Sequence, residues 1–181
     1  MMLELTRSLL VNQYAAALSM LKAAVTQCPQ GAWDAPVASH RFSQVVFHTL
    51  YFTDLYLGRE DEAAFRAQPV HRELAPLFAH LPAKVEPFED PVPRSYDRAL
   101  LLAYLEFCRR KAAEIVAAET EETLRAAEIF GGAFSRAELH VYNIRHVHHH
   151  AAQLSLRLRL DSGRGVAWVG SGWREPTADG R

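Results

Sequence analysis

Residues 42–57, FSQVVFHTLYFTDLYL, constrain the fold more than any other stretch of the chain. At about 100° per residue they are apolar on almost every side, and such a helix has to be surrounded by others. Gly58 closes it, and Thr53 and Asp54 mark its expected wetter side. Three more long helical periods supply the surroundings. In residues 3–27, Leu5, Leu9, Ala16 and Met20 share one broad face, and Pro29 and Gly31 end the helix. Residues 96–118 form another, with Ser95 as N-cap and Asp97 favourable in the first turn. Ser135 and Glu138 make a capping box that opens a fourth over 136–160, stopped by Gly163 and Gly165. With no repeat and no convincing strand, the fold class is all-α: four long helices around one core over residues 1–162. Residues 163–181 form a Gly-rich tail that docks partly through Trp168 and Trp173, its last residues disordered.

The connections are unequal. Arg59–Gln68 carries a short helix, but Pro69, Pro76, Pro82, Pro87, Pro91 and Pro93 forbid a long one. Residues 58–94 therefore read as a long connection with short helical pieces, covering one end of the bundle. Thr123–Ala127 is a further short turn, and Gly131-Gly132 breaks the chain before the last helix.

At 181 residues the chain is one domain with a sizeable core. Its 20 basic and 21 acidic residues nearly cancel and form no block, which argues against nucleic-acid or anionic-membrane partners. Cys28 and Cys108 form no CxxC, and a domain of this size needs no disulfide, so a reducing compartment is the simpler setting. Each reads as a small buried hydrophobe. Polar residues interrupt the N-terminal stretch too early for a secretory signal, and no apolar run approaches the ~18 residues needed to span a bilayer. A soluble cytoplasmic protein is expected.

The chemistry lies in the histidines. On the last helix, Ile144, Val147, Ala151, Leu154 and Leu158 form the packing stripe. Beside it runs a polar line of Asn143, His146, His150 and Gln153, continued by Arg157. His146 and His150, four apart, put two imidazoles on one edge, one turn apart. His148 falls with Arg145 and Arg159 on a third, solvent side. His140, His71 and His80 read as solvated as well. His48, alone in an apolar helix, is the obvious third partner of the inward pair. Three imidazoles can bind a divalent metal and leave a coordination position open. Tyr51, Asn143 and Gln153 are candidates to line that site, and no general base stands out. No ExxH pair supports a carboxylate-bridged di-metal site, and HExxH, GxGxxG and Walker A motifs are absent.

The run NIRHVHHHAAQL near the end of the last helix, with FSQVVFHTLYFTDLYL on the second, resembles the DinB/YfiT-like metalloenzyme superfamily. The resemblance covers the four long helices, up to about residue 160. It implies an up-and-down four-helix bundle, often dimeric, with metal ligands at His48, His146 and His150 and a following glutamine at Gln153. Where that family often has Arg-Gly between the His pair and the glutamine, this chain has Ala151-Ala152. Related proteins include transferases and isomerases that use low-molecular-weight thiols. The expectation is a metal-dependent transferase or hydrolase holding Zn²⁺ or Ni²⁺, with a small-molecule substrate, a low-molecular-weight thiol among the candidates. A homodimer is expected, because the second helix is apolar on more sides than one core easily uses. Two readings compete: a non-catalytic stress-response or binding module with a structural or incidental metal, and a metal-free bundle whose inward histidines are satisfied by hydrogen bonds.

Overall fold

The computed structural model describes residues 1–82, 85–90, 94–128 and 134–176. The break expected at Gly131-Gly132 and the disorder expected of the last residues of the tail fall outside the described residues. The described chain is all-α apart from a small antiparallel pair, Pro36–Val37 with His40–Arg41, and an isolated antiparallel bridge between Ala127 and Ser135, neither of which the sequence signalled. Its helices are α1 (Met2–Gln27), α2 (Phe42–Leu57), α3 (Glu62–Arg66), α4 (Pro69–Glu73), α5 (Ala75–Phe78), α6 (Arg98–Ala118), α7 (Glu121–Arg125) and α8 (Arg136–Ser162). No helix among the described residues is long and apolar enough to cross a membrane.

Local chemistry sets the boundaries. Asp97, not Ser95, caps α6, its side chain accepting from the Leu100 N–H at 2.9 Å. The carboxylate one turn before the first apolar residues is the better-placed acceptor. Ser135 and Glu138 close the capping box on α8 as expected, and Gly163 ends that helix in the left-handed region at φ 74°.

The long helices form a ring in which α1 and α2 each pack against both α6 and α8. Their directions do not alternate. Trp33, just beyond α1, donates its indole N–H to the Tyr96 carbonyl, just before α6, at 2.7 Å. At the other end the start of α1 (Arg7), the end of α2 (Leu57, Gly58), the end of α6 (Glu119) and the start of α8 (Arg136) meet. So α2 and α6 run the same way, and the sense along the chain is up, down, down, up. This corrects the expected up-and-down alternation. The connection between α2 and α6 has to return along the whole length of α2, about 24 Å for 16 residues. That is why it is long, and why it lies along the helices rather than over one end.

Thirteen of the sixteen α2 residues are buried. Its polar groups survive burial because each has a partner. Thr49 and Thr53 hydroxyls donate back to the Val45 and Thr49 carbonyls, and Gln44 donates to the Pro87 carbonyl. Thr53 and Asp54 are therefore not a wetter side: both are fully buried. Asp54 accepts from Tyr104 at 2.8 Å, from His71 at 3.1 Å and from the Lys111 ammonium. His71 is thus a buried residue, not a solvated one. On α1 the buried face is Leu10, Tyr14, Ala17, Leu18, Leu21 and Val25, while Leu5 and Leu9 are 61 % and 55 % exposed. The expected stripe was one residue out of register over its first half.

After Gly163 the chain straps back along α1. Gly172 N–H donates to the Asn12 carbonyl and Arg174 N–H to Ser19 Oγ. Val166 and Val169 are buried, and Trp173 lies between Lys22 and Arg109. Trp168 stays largely exposed and covers the His148 ring at 5.0 Å. His148 also touches Met20 Sδ at 3.3 Å, so it is half-buried rather than turned to solvent.

The end where the four helices meet is organised by Glu119. Its buried carboxylate accepts from Arg136 Nε at 3.0 Å, from His140 Nε2 at 3.1 Å, and from Arg59 and Thr123. His140 Nδ1 in turn accepts from the Tyr14 hydroxyl at 3.1 Å, so this histidine is a buried link and not a solvated one. Burial would raise the Glu119 carboxyl, but the hydrogen bonds from Thr123, Arg59, Arg136 and His140 outweigh it and hold the group at about 2. Burial, helped by the Arg136 charge, pushes His140 down to about 4.

Two outcomes follow from this cluster. Glu119→Ala leaves the buried Arg136 guanidinium without its counter-charge and is expected to cost about 3–5 kcal/mol in urea unfolding. The two shifted groups also destabilise the fold on acidification. His140 titrates near 6.5 when unfolded and near 4 when folded, so the unfolded chain takes up that proton first and stability falls across that window. Glu119 extends the loss from about 4.5 towards 2. His140→Gln, which cannot titrate, should flatten the loss between pH ~6.5 and ~4. Parallel stability curves for the two proteins would show that His140 is not the group responsible.

Candidate metal centre

His48 on α2 and His146 and His150 on α8 converge. One ligand atom from each lies within 4.8 Å of the others, and among the described residues no cysteine or carboxylate belongs to the group. α2 and α8 pack directly, and the i, i+4 spacing stacks the α8 pair so that both rings meet His48, at centroid distances of 5.3 and 4.9 Å. The three histidines that the sequence singled out are the three that the fold brings together.

Outer partners fix two of the rings. His48 Nδ1–H donates to Glu86 Oε2 at 2.9 Å, and His150 Nδ1–H donates to Gln153 Oε1 at 2.9 Å. Gln153 passes its amide N–H to His149 Nε2 at 3.0 Å. Both rings are therefore the tautomer whose lone pair sits on Nε2, an arrangement also usual for a metal-binding histidine with a carboxylate or amide behind it. His146 has no such partner: its Nδ1 is buried without a hydrogen bond. Its Nε2 lies 3.3 Å from His48 Nε2.

Electrostatics keep the group neutral. Burial lowers all three, and mutual repulsion adds to it, carrying His146 to about 3 and His150 to about 4. His48 is lowered by burial against the pull of Glu86. The Glu86 carboxyl, which burial would raise, is held below its ordinary value by His48 and the Phe88 N–H. Neutral imidazoles offer lone pairs, and three of them repel an added proton but fit a divalent cation. Two nitrogens bound tetrahedrally at ~2.0–2.1 Å stand about 3.3 Å apart, which is the His48–His146 separation. The donor set fits one divalent ion, and the His48–His146 pair is already at the spacing such an ion requires, with the His150 nitrogen within 4.8 Å of both.

Aromatic side chains wall the group. Phe88 stacks on His48 at 3.6 Å with the rings 2° from parallel, and on its other face lies His40 at 3.8 Å. Phe52 packs on His48 and His146, and Tyr56 on His146. Glu86 and Phe88 both come from the proline-rich connection, and sequence reasoning missed them. The signal was weak: one Glu among several in a segment without period.

Of the other candidate lining residues, Gln153 is in place. Asn143 instead donates to the Thr53 carbonyl at 3.1 Å. Tyr51 packs on Phe47 and Phe65 and lines a cavity to which none of the three histidines contributes. Cys28 and Cys108 are buried free thiols, as expected; Cys108 donates to the Leu50 carbonyl. His80 is half-buried beside Asp90 at 3.3 Å and Tyr96, not solvated.

No family model matches the chain, and neither a curated protein nor a solved structure matches it.

Glu86 is the cheapest test of this geometry. Glu86→Gln should keep the site's shape and lower divalent-ion affinity about 10- to 100-fold, read by competition with a chromophoric chelator. Unchanged affinity would mean that the carboxylate does not set the His48 ring.

Proposed function

We propose that the chain is a DinB/YfiT-like four-helix bundle whose His48, His146 and His150 hold one divalent cation, Zn²⁺ or Ni²⁺, for chemistry on a small molecule. The observation that carries the reading is the convergence of three neutral imidazole nitrogens with no carboxylate or thiolate among them. A group of three neutral ligands leaves room for an exchangeable position, whereas a structural site is closed by a fourth. When bound, such an ion supplies a double positive charge that acidifies a thiol or a water beside it.

The protein's own groups divide the remaining work. Glu86 and Gln153 orient two of the ligands. Phe52, Tyr56 and Phe88 keep water from the apolar side. Among the described residues the group includes no carboxylate to act as general base, which favours a substrate that ionises on the cation over one deprotonated by the protein. A thiol-dependent transferase fits that better than a hydrolase, and a low-molecular-weight thiol is the substrate class. The homodimer remains part of the reading, but its surface moves: α2 is covered within the chain, while Leu5 and Leu9 of α1 and Val141, Leu156 and Leu160 of α8 are among the exposed apolar residues.

Metal analysis of protein purified without a histidine tag should find one ion per chain, and His146→Ala and His48→Ala should lose it. Retention of the ion by both variants would refute the site. In the cobalt-substituted protein, 2-mercaptoethanol should produce sulfur-to-metal charge-transfer absorption while the cobalt stays bound. No spectral change at saturating thiol would turn the reading to a structural metal.

A further inference from the structure

His71 is a buried ring held on every side but one. Its Nε2–H donates to Asp54 Oδ2 at 3.1 Å. That carboxylate also accepts from the Lys111 ammonium and the Tyr104 hydroxyl, so it has no proton to give back. With the proton on Nε2, the neutral ring carries its lone pair on Nδ1. Phe78 stacks on the ring at 4.0 Å, the planes 19° apart, and Phe65 packs edge-on at 4.6 Å. Nδ1 has no hydrogen-bond partner among the described residues, and unlike Nδ1 of His146 it is not sealed from the surface.

The ring lines a cavity of about 290 Å³ between α2 and the short helices of the connection. The volume lies at the lower edge of the roughly 300–1,000 Å³ of small-molecule sites, room for one ring with a short substituent. Ala75, Phe78 and Ala79 supply its apolar walls. Arg66 and Arg72 line it too, and guanidinium groups only donate and repel a cation. The Tyr51 hydroxyl is already engaged by Arg66. His71 Nδ1 is thus the acceptor left for a ligand, and an acceptor that opens onto a largely apolar space is costly until a donor meets it. The Asp54 contact fixes the direction of its lone pair in advance.

We propose that this cavity binds a small uncharged ring carrying a hydroxyl, a phenol, with its O–H donated to His71 Nδ1 and its ring between Phe78 and the two alanines. The site is independent of the metal reading, since it uses none of the three converging histidines, Glu86 or Gln153.

The test is calorimetric titration of the whole chain with phenol and with toluene, which has the same shape and no donor. Phenol should bind saturably and about fivefold or more tightly than toluene, the scale of one net hydrogen bond. His71→Phe keeps a ring against Phe78 and leaves Asp54 its Lys111 and Tyr104 partners, and it should bring phenol down to the affinity of toluene. Ala79→Leu, which fills the cavity from its exposed edge, should abolish binding of both. His146→Ala should leave both unchanged. In the unsubstituted protein, the His71 Nδ1 resonance of a long-range proton–nitrogen spectrum should move with phenol and stay in place with toluene, a reading that needs no variant to fold. Equal affinities for the two ligands, a phenol preference that survives in His71→Phe, a stationary Nδ1 resonance, or no saturable binding up to the solubility limit would overturn the proposal. So would loss of phenol binding in His146→Ala, because the phenol would then be sitting on the three-histidine group.

Discussion

One buried residue, Glu119, ties together the ends of all four long helices through its backbone carbonyl and its carboxylate. Glu119 closes α6, where the unpaired carbonyls already concentrate negative charge, so a carboxylate there is unfavourable unless cations answer it. Arg7 of α1 donates to its carbonyl, and Arg136 and His140 of α8 and Arg59 beyond α2 donate to its carboxylate. Arg136 is shared further: it also caps the last carbonyls of α2, at Tyr56, Leu57 and Gly58. A guanidinium that pairs with one helix end while capping another fixes the axial position of both. The stagger of α8 against α2 decides whether His146 and His150 stand level with His48, so the three-histidine group depends on an ionic cluster about two to four helical turns away along α8.

The direction of the helices explains what the connection does. Because α2 and α6 are parallel, residues 58–97 have to travel the length of the ring, and their prolines keep them from forming a fifth long helix. The return path lays Glu86 and Phe88 against His48 at one level, and Arg66 against Tyr51 and His71 against Asp54 at another. Two sets of partners for buried α2 side chains thus come from a segment with no periodicity of its own.

That distribution sets what was legible in the sequence. Helical period, the capping box at Ser135 and the stops at Gly58 and Gly163 are local signals, and they placed the long helices within a residue or two. The polar line on α8 also survived, because a line beside a packing stripe needs only the wheel to be seen. What failed depended on partners distant in sequence. His140, His71 and Asp54 looked like surface residues, since nothing nearby reveals Glu119, Lys111 or Tyr104 waiting to pair with them. Leu5 and Leu9 looked buried because an alternative register of α1 is almost as amphipathic. Glu86 was invisible for the same reason as His140: its role exists only once the chain has crossed back.

The ring order also bears on how the chain acquires its shape. α1 and α2 are consecutive, yet each packs on α6 and α8 and makes no comparable contact with the other. A nascent chain that has exposed only these two helices has neither of the surfaces that α2's apolar sides require. Closing the ring joins α1 to α8 across more than a hundred residues, a loop whose entropic cost comes before any contact rewards it. Until the last helix is synthesised, α2 is the segment a holdase chaperone would have to shield.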